Sequence, residues 1–145
     1  MHIGIYAARP DANACVHTHS MFASAISCCR LTIPCYHYSV GEIAMDADNI
    51  LTAPYFTYGT PELAQAVVEA IGPTRMGCLM ANHGQATLGA SLDDAFYFAL
   101  RMENICEMYY RVLGIPSGPV VLTAEDMAKC RERDKTYGIY PRPHH

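Results

Sequence analysis

Between residues 60 and 114 the chain switches from helical to extended patterning and back, with a clear stop or start signal at each change. Thr60-Pro61 has the chemistry of a helix start, a threonine to cap the first turn and a proline at the first helical position. Leu63, Ala66, Val67, Ala70 and Ile71 then fall on one apolar stripe. Gly72-Pro73 ends that helix. Met76 to Ala81 is an apolar run of strand length, Asn82-His83-Gly84 turns the chain, and Gln85 to Gly89 returns as its neighbour. Ser91, with Asp94 three residues on, opens the longest helix. There Leu92, Ala95, Ala99, Met102, Cys106, Tyr109 and Leu113 recur at spacings of three and four until Gly114, with Pro116 just beyond. A methionine and aromatic stripe of this kind is core rather than a cofactor face.

The flanking regions are less regular. Ala12 to Thr18 reads as a strand, Ser20 as the N-cap of a short helix from Met21 to Cys28, and Ile33-Pro34 as the end of that unit. Cys35 to Ser39 is expected to be extended, Gly41 to Asn49 a loop, and Pro54 to Gly59 another extended segment. Thr123 with Asp126 caps a final helix to about Lys135, and Thr136 to Pro141 is a tail. No internal repeat or linker interrupts the 145 residues, so they read as one domain. Met1 to Ala8 opens without cap, turn or polar leader, as a chain does when it begins partway through a larger fold.

Composition removes several function classes. No run of about 18 apolar residues is present and no signal-peptide pattern, so no membrane span is expected and the cytosol is the default compartment. The net charge is −4, and the basic residues are scattered apart from a mixed-charge patch at Lys129–Lys135, which argues against nucleic acid as a partner. The seven cysteines, Cys15, Cys28, Cys29, Cys35, Cys78, Cys106 and Cys130, are odd in number and form no C-x-x-C pair. They read as reduced, mostly buried small hydrophobes rather than zinc-ribbon or disulfide positions.

The chemistry starts at Ala14-Cys15-Val16-His17-Thr18-His19-Ser20. In an extended run alternate side chains share a face, so His17 and His19 point together, roughly 7 Å apart at the backbone. Two imidazoles so placed can chelate one ion, and the same spacing also serves two hydrogen-bonded core histidines. A third ligand is best sought among His2, His37, His83, His144 and His145. His83 stands out because its turn ends an apolar strand and Gly84 allows close backbone approach. His144 and His145 are not counted as ligands. Three histidines with an open position form a catalytic zinc pattern, suited to a substrate whose carbonyl and neighbouring hydroxyl chelate together.

Several separated motifs carry a resemblance. Tyr6-x-x-Arg9-Pro10-Asp11-Ala12-Asn13-Ala14-Cys15-Val16-His17-Thr18-His19 is followed in order by Ile33-Pro34, His37-Tyr38, Pro54-Tyr55, Tyr58-Gly59-Thr60 and Asn82-His83-Gly84. Together they resemble the class II aldolase/adducin family, and Lys135-Thr136-Tyr137-Gly138 looks like the C-terminal end of its aldolases. The resemblance implies an α/β fold, a three-layer α/β/α arrangement with a largely antiparallel central sheet, of which this chain holds the C-terminal part. It implies a zinc-dependent (or other divalent-metal) lyase that cleaves a ketose 1-phosphate, such as L-fuculose 1-phosphate, into dihydroxyacetone phosphate and an aldehyde.

On that resemblance His17, His19 and His83 are the metal ligands. Tyr38 is the tyrosine that reaches a neighbouring subunit's site and donates a proton to the aldehyde oxygen, and Tyr137 is a tail tyrosine also contributed across a subunit boundary. The implied assembly is a homotetramer. The family's amino-terminal part carries phosphate-binding loops and a glutamate, expected just upstream of Met1, that acts as acid/base and further metal ligand; Glu42 and Asp46 have no spacing that makes either its replacement. Two alternatives stand beside the aldolase. One is a pentulose-phosphate 4-epimerase or thiosugar-phosphate dehydratase on the same fold, against which His37-Tyr38 after Ile33-Pro34 weighs modestly. The other is a non-catalytic, adducin-like assembly module, which has no need of three convergent imidazoles.

Overall fold

The computed structural model describes residues 1–137. In chain order these form α1 (His2–Ala8), β1 (Ala14–Thr18), α2 (Met21–Cys28), β2 (Ile33–Pro34), a 3-10 turn (Tyr38–Val40) running into α3 (Gly41–Ala44), β3 (Asn49–Ile50), β4 (Thr52–Ala53), α4 (Pro61–Ile71), β5 (Gly77–Met80), β6 (Gly84–Gly89), α5 (Leu92–Leu113) and α6 (Ala124–Asp134). The main sheet has the order β1-β6-β5-β4. Its first three strands are antiparallel and β4 adds a short parallel edge. β2 and β3 form a separate two-stranded ribbon.

All six residues of β6 are buried, as befits a strand with partners on both edges and helices on both faces. The period of two sorts its neighbours into two cores. Cys78, Met80, Ala86 and Leu88 face α1 and α4, packing on Leu63, Val67, Ile71 and Ile5. Leu79 faces the other way, into Met102, Ile105, Cys106, Ile26 and Met127 from α5, α2 and α6. The result is the expected three-layer α/β/α arrangement with a largely antiparallel sheet. On the α5 side β6 also turns two buried polar residues inward, and both bond carbonyls of the helix: Thr87 Oγ1 donates to Ala95 at 2.9 Å and Gln85 Nε2 to Ala99 at 3.1 Å.

Helix starts follow the sequence signals. Thr60, Ser91 and Thr123 each accept the backbone N–H three residues on, and Thr123 with Asp126 closes a full capping box. Replacing Ser91 by alanine is expected to destabilise the protein by about 1 kcal/mol, seen as a lower urea midpoint with an unchanged slope. The five stripe residues of α4 are all buried. In α5 the end residues Leu92 and Leu113 are exposed, and Ile105 joins the buried face instead.

Residues 35–59 depart from expectation. Tyr38–Val40 curls because His37 Nδ1 accepts the Ser39 N–H, and the anticipated loop holds the short α3, whose Ile43 and Ala44 are buried in the α5-side core. The extended pairing expected at Pro54 to Gly59 lies instead at Thr52–Ala53; Pro54, lacking an N–H, ends the ladder and the chain leaves the sheet. Arg9 is buried. Its guanidinium forks onto Asp11 at 2.8 and 2.7 Å and donates to the Arg75 carbonyl at 2.7 Å, pinning the entry to β1 against the α4–β5 junction. Among the described residues no helix is long and apolar enough to cross a membrane.

Candidate metal centre

β1 delivers His17 and, one residue past its end, His19 to the same face. Its antiparallel register with β6 sets Thr18 opposite Gln85, and Met80 pairs with Gly84 across the tight turn that carries His83. The three ring systems therefore meet, with centroids 4.8, 5.0 and 4.8 Å apart. One ligand nitrogen from each lies within 4.8 Å of the others.

The donor set fits a divalent ion. His17 Nε2 and His19 Nε2 are 3.1 Å apart. A tetrahedral zinc with nitrogens at ~2.0–2.1 Å holds two ligand nitrogens about 3.3 Å apart, close to the spacing of this pair. His17 Nδ1 donates to the Gln85 carbonyl at 2.7 Å, and because a carbonyl only accepts, the proton sits on Nδ1 and leaves Nε2 bare. Burial lowers the His17 pKa, outweighing the Gln85 bond, and the nearby His19 adds to the fall. Burial also lowers His83, followed by repulsion from His17 and His19. Each shift favours the neutral imidazole that a metal needs.

The turn is latched to α2. Asn82 adopts a positive φ of 55°, its N–H donates to the Ser27 carbonyl at 3.1 Å, and Arg30 Nε donates to Asn82 Oδ1 at 3.0 Å. The His83 N–H reaches Ser27 Oγ at 3.2 Å. At its other end α2 is not capped by Ser20, whose side chain makes no cap bond. Glu103 of α5 takes the N–H groups of Phe22 and Ala23 at 2.8 and 2.9 Å. Neither Glu103 nor Ser27 was visible as a site residue in the sequence. Glu103 lies beside the apolar stripe of α5 and looks like an ordinary polar-face residue.

A cavity of about 720 Å³ opens over the imidazoles, walled by Tyr55, Phe56 and Tyr58 from the segment that leaves β4. Tyr38 and Tyr137 are both exposed, and neither lines this cavity. Tyr38 stacks beside His37 with ring centroids 4.4 Å apart, and Tyr137 lies 5.5 Å under the Arg133 guanidinium. His2 and His37 stand apart from the triad, His37 being engaged with Ser39. Gly138 to Pro141 of the expected tail, and His144 and His145, fall outside the described residues.

Glu42 is committed elsewhere. Burial alone would raise its pKa, yet hydrogen bonds from Arg101 and Tyr97 overcome this and hold it below the usual range. Asp46 is exposed, 4.0 Å from Arg131. All seven cysteines are free. Cys35, Cys78 and Cys106 are buried, with burial pushing Cys78 up to about 12, whereas Cys28 and Cys29 are exposed at the end of α2 and Cys15 and Cys130 are half-buried, so fewer are buried than expected.

Residues 1–110 match the family described as the class II aldolase and adducin N-terminal domain. The 5-methylthioribulose-1-phosphate/5-deoxyribulose-1-phosphate aldolase of Rhodospirillum rubrum is 39% identical over 137 residues, covering 94% of this chain and 60% of that protein. The L-fuculose phosphate aldolase of Escherichia coli K12 is 36% identical over 138 residues, covering 95% of this chain and 63% of that one. A solved L-fuculose 1-phosphate aldolase structure superposes with a TM-score of 0.84 at 31% identity, over 92% of this chain and 61% of its own length. In each comparison the chain spans less than two thirds of its relative.

Proposed function

We propose a function for this chain from its family and its imidazoles together: it belongs to the class II aldolase and adducin family, and three histidine rings converge on its sheet edge. The reading is a metal-dependent aldehyde-lyase that splits a ketose 1-phosphate into dihydroxyacetone phosphate and an aldehyde. The observation that carries it is the convergence of His17, His19 and His83 with the His17 Nε2 left bare by its bond to Gln85. The relatives' names share a ketose 1-phosphate substrate of varied far end, which supports the substrate class while leaving the sugar open.

A zinc or other divalent ion on the three histidines would polarise the substrate's carbonyl and adjacent hydroxyl and balance the negative charge that develops as the carbon–carbon bond breaks. The protein's part is to hold the ring nitrogens ready. The Gln85 carbonyl fixes the His17 tautomer and ring plane, and Ser27 and Arg30 fix the turn that aims His83. Tyr55, Phe56 and Tyr58 form the cavity's aromatic wall.

Tyr38 is proposed to serve the aldehyde oxygen, taking up the hydroxyl proton as the carbon–carbon bond breaks and donating it back in the reverse, condensation direction, and Tyr137 to act as a second tyrosine at the same site, each from a neighbouring copy in a homotetramer. Their exposure, away from this chain's own cavity, is what contribution across a subunit boundary requires. No carboxylate joins the histidine group among the described residues.

Metal analysis of the purified chain, followed by an assay for dihydroxyacetone phosphate release from L-fuculose 1-phosphate, 5-deoxyribulose 1-phosphate and 5-methylthioribulose 1-phosphate, tests the reading. The expected result is one ion per chain and release that stops on chelation and returns with zinc. Bound metal without release from any ketose 1-phosphate would favour the assembly-module alternative; no bound metal removes the metal centre.

A further inference from the structure

Helices α4, α5 and α6 cap themselves, but α2 borrows its cap from α5. Thr60, Ser91 and Thr123 each serve their own helix, whereas Ser20 makes no such bond and Glu103 supplies the acceptors instead. One carboxylate meets three donors. Oε1 accepts the Phe22 N–H at 2.8 Å, and Oε2 accepts the Ala23 N–H at 2.9 Å and the Ser20 hydroxyl at 2.6 Å. The chain is thereby tied to α5 at the residue that follows His19.

The tie continues to the second ligand. Ser20 Oγ, while donating to Glu103, accepts from Gln85 Nε2 at 2.8 Å, and the carbonyl of the same Gln85 holds His17 Nδ1 at 2.7 Å. Gln85 is buried, and its Oε1 has no partner. Its amide is thus oriented by donation to Ser20 and to the Ala99 carbonyl even though this leaves its oxygen unpaired. The far end of the same α2 latches the third ligand through the Ser27 bond to the His83 N–H.

We propose that Glu103 is a positioning residue for the metal face, acting through Ser20 and helix α2 on His19 and, by way of Gln85, on His17. The inference rests on the three-histidine reading above. Only a carboxylate presents two acceptor oxygens and no donor to three converging N–H and O–H groups; a glutamine turns an NH₂ against one of them. Its charge also suits a helix N-terminus. With both oxygens engaged on α2, Glu103 holds the site without touching substrate.

Cobalt(II) titration of the full chain tests this, reading the affinity and the intensity of the visible d–d bands, with zinc affinity measured by chelator competition. Glu103→Gln is expected to weaken binding by about 10- to 100-fold and to alter the band intensity. Ser20→Ala is expected to weaken it in the same direction by less. Ser91→Ala, which removes a cap at the opposite end of β6, lowers the melting temperature but leaves both metal readouts unchanged. Wild-type affinity and spectrum in both Glu103→Gln and Ser20→Ala overturn the proposal, and should Glu103→Gln fail to fold, an unchanged Ser20→Ala does so alone. A parent chain that takes up neither cobalt nor zinc ends the metal-centre reading and this inference with it. A metal-binding parent matched by its variants ends only the inference.

Discussion

Alanine at position 19 is expected to strip the metal from the chain while leaving it folded. His19 is exposed, lies past the end of β1, and its ring nitrogen hydrogen-bonds to His17, so the truncation empties no core and orphans no buried group. What it removes is one ligand of three. If the ~10–16 kcal/mol apparent for a four-ligand zinc site divides evenly, each ligand carries about 3 kcal/mol, or on the order of 10²-fold in affinity. Chelator competition should show that loss, with a far-UV spectrum and melting temperature close to the parent's. His17→Ala is expected to lose metal equally but also some stability, because His17 is half-buried and leaves the Gln85 carbonyl without its partner. Parental zinc affinity in His19→Ala would remove the metal centre.

The unequal legibility of this chain in its sequence has a physical pattern. Where an element is long enough to show its period and is closed by its own cap, the residues announce it: Thr60 and Pro61 open α4, Gly72 closes it, and the five residues of its stripe are the ones buried. Residues 35–59 are read poorly because β3 and β4 are two residues each, too short for alternation, and α3 is held by burying Ile43 and Ala44 against a distant helix. The paired histidines of β1 follow from the period of two, and His83 from its turn. Their convergence depends on β1 pairing with β6 in one register, which no local pattern states. Glu103 was hidden for the same reason: its three partners lie 80 to 83 residues earlier in the chain.

Gly84→Ala should damage the fold and the metal face together, because both depend on how closely β6 approaches β1. A Cβ at 84 would sit 2.3 Å from the Thr18 carbonyl oxygen, 3.1 Å from His19 Cδ2 and 3.3 Å from His19 Cα. The first contact is with backbone in the sheet's own ladder, which cannot swing aside as a side chain tip does, so the strands must part. Gly84 is not among the residues with positive φ, so what the position demands is space and not conformational freedom. Overpacking of this kind costs ~1–3 kcal/mol, and parting β1 from β6 at Thr18 carries His19 away from His83, so metal affinity should also fall on the order of 10²-fold. Gly89→Ala separates the two effects. A Cβ there lies 2.3 Å from the Ala95 nitrogen, an equal violation at the opposite end of the same strand. It is expected to lower the urea midpoint comparably while leaving zinc affinity within about threefold of the parent, since the β1–β6 approach at Thr18 stays closed. If the two variants lost metal to the same degree, ligand convergence would depend on the strand as a whole and not on the close contact at Gly84.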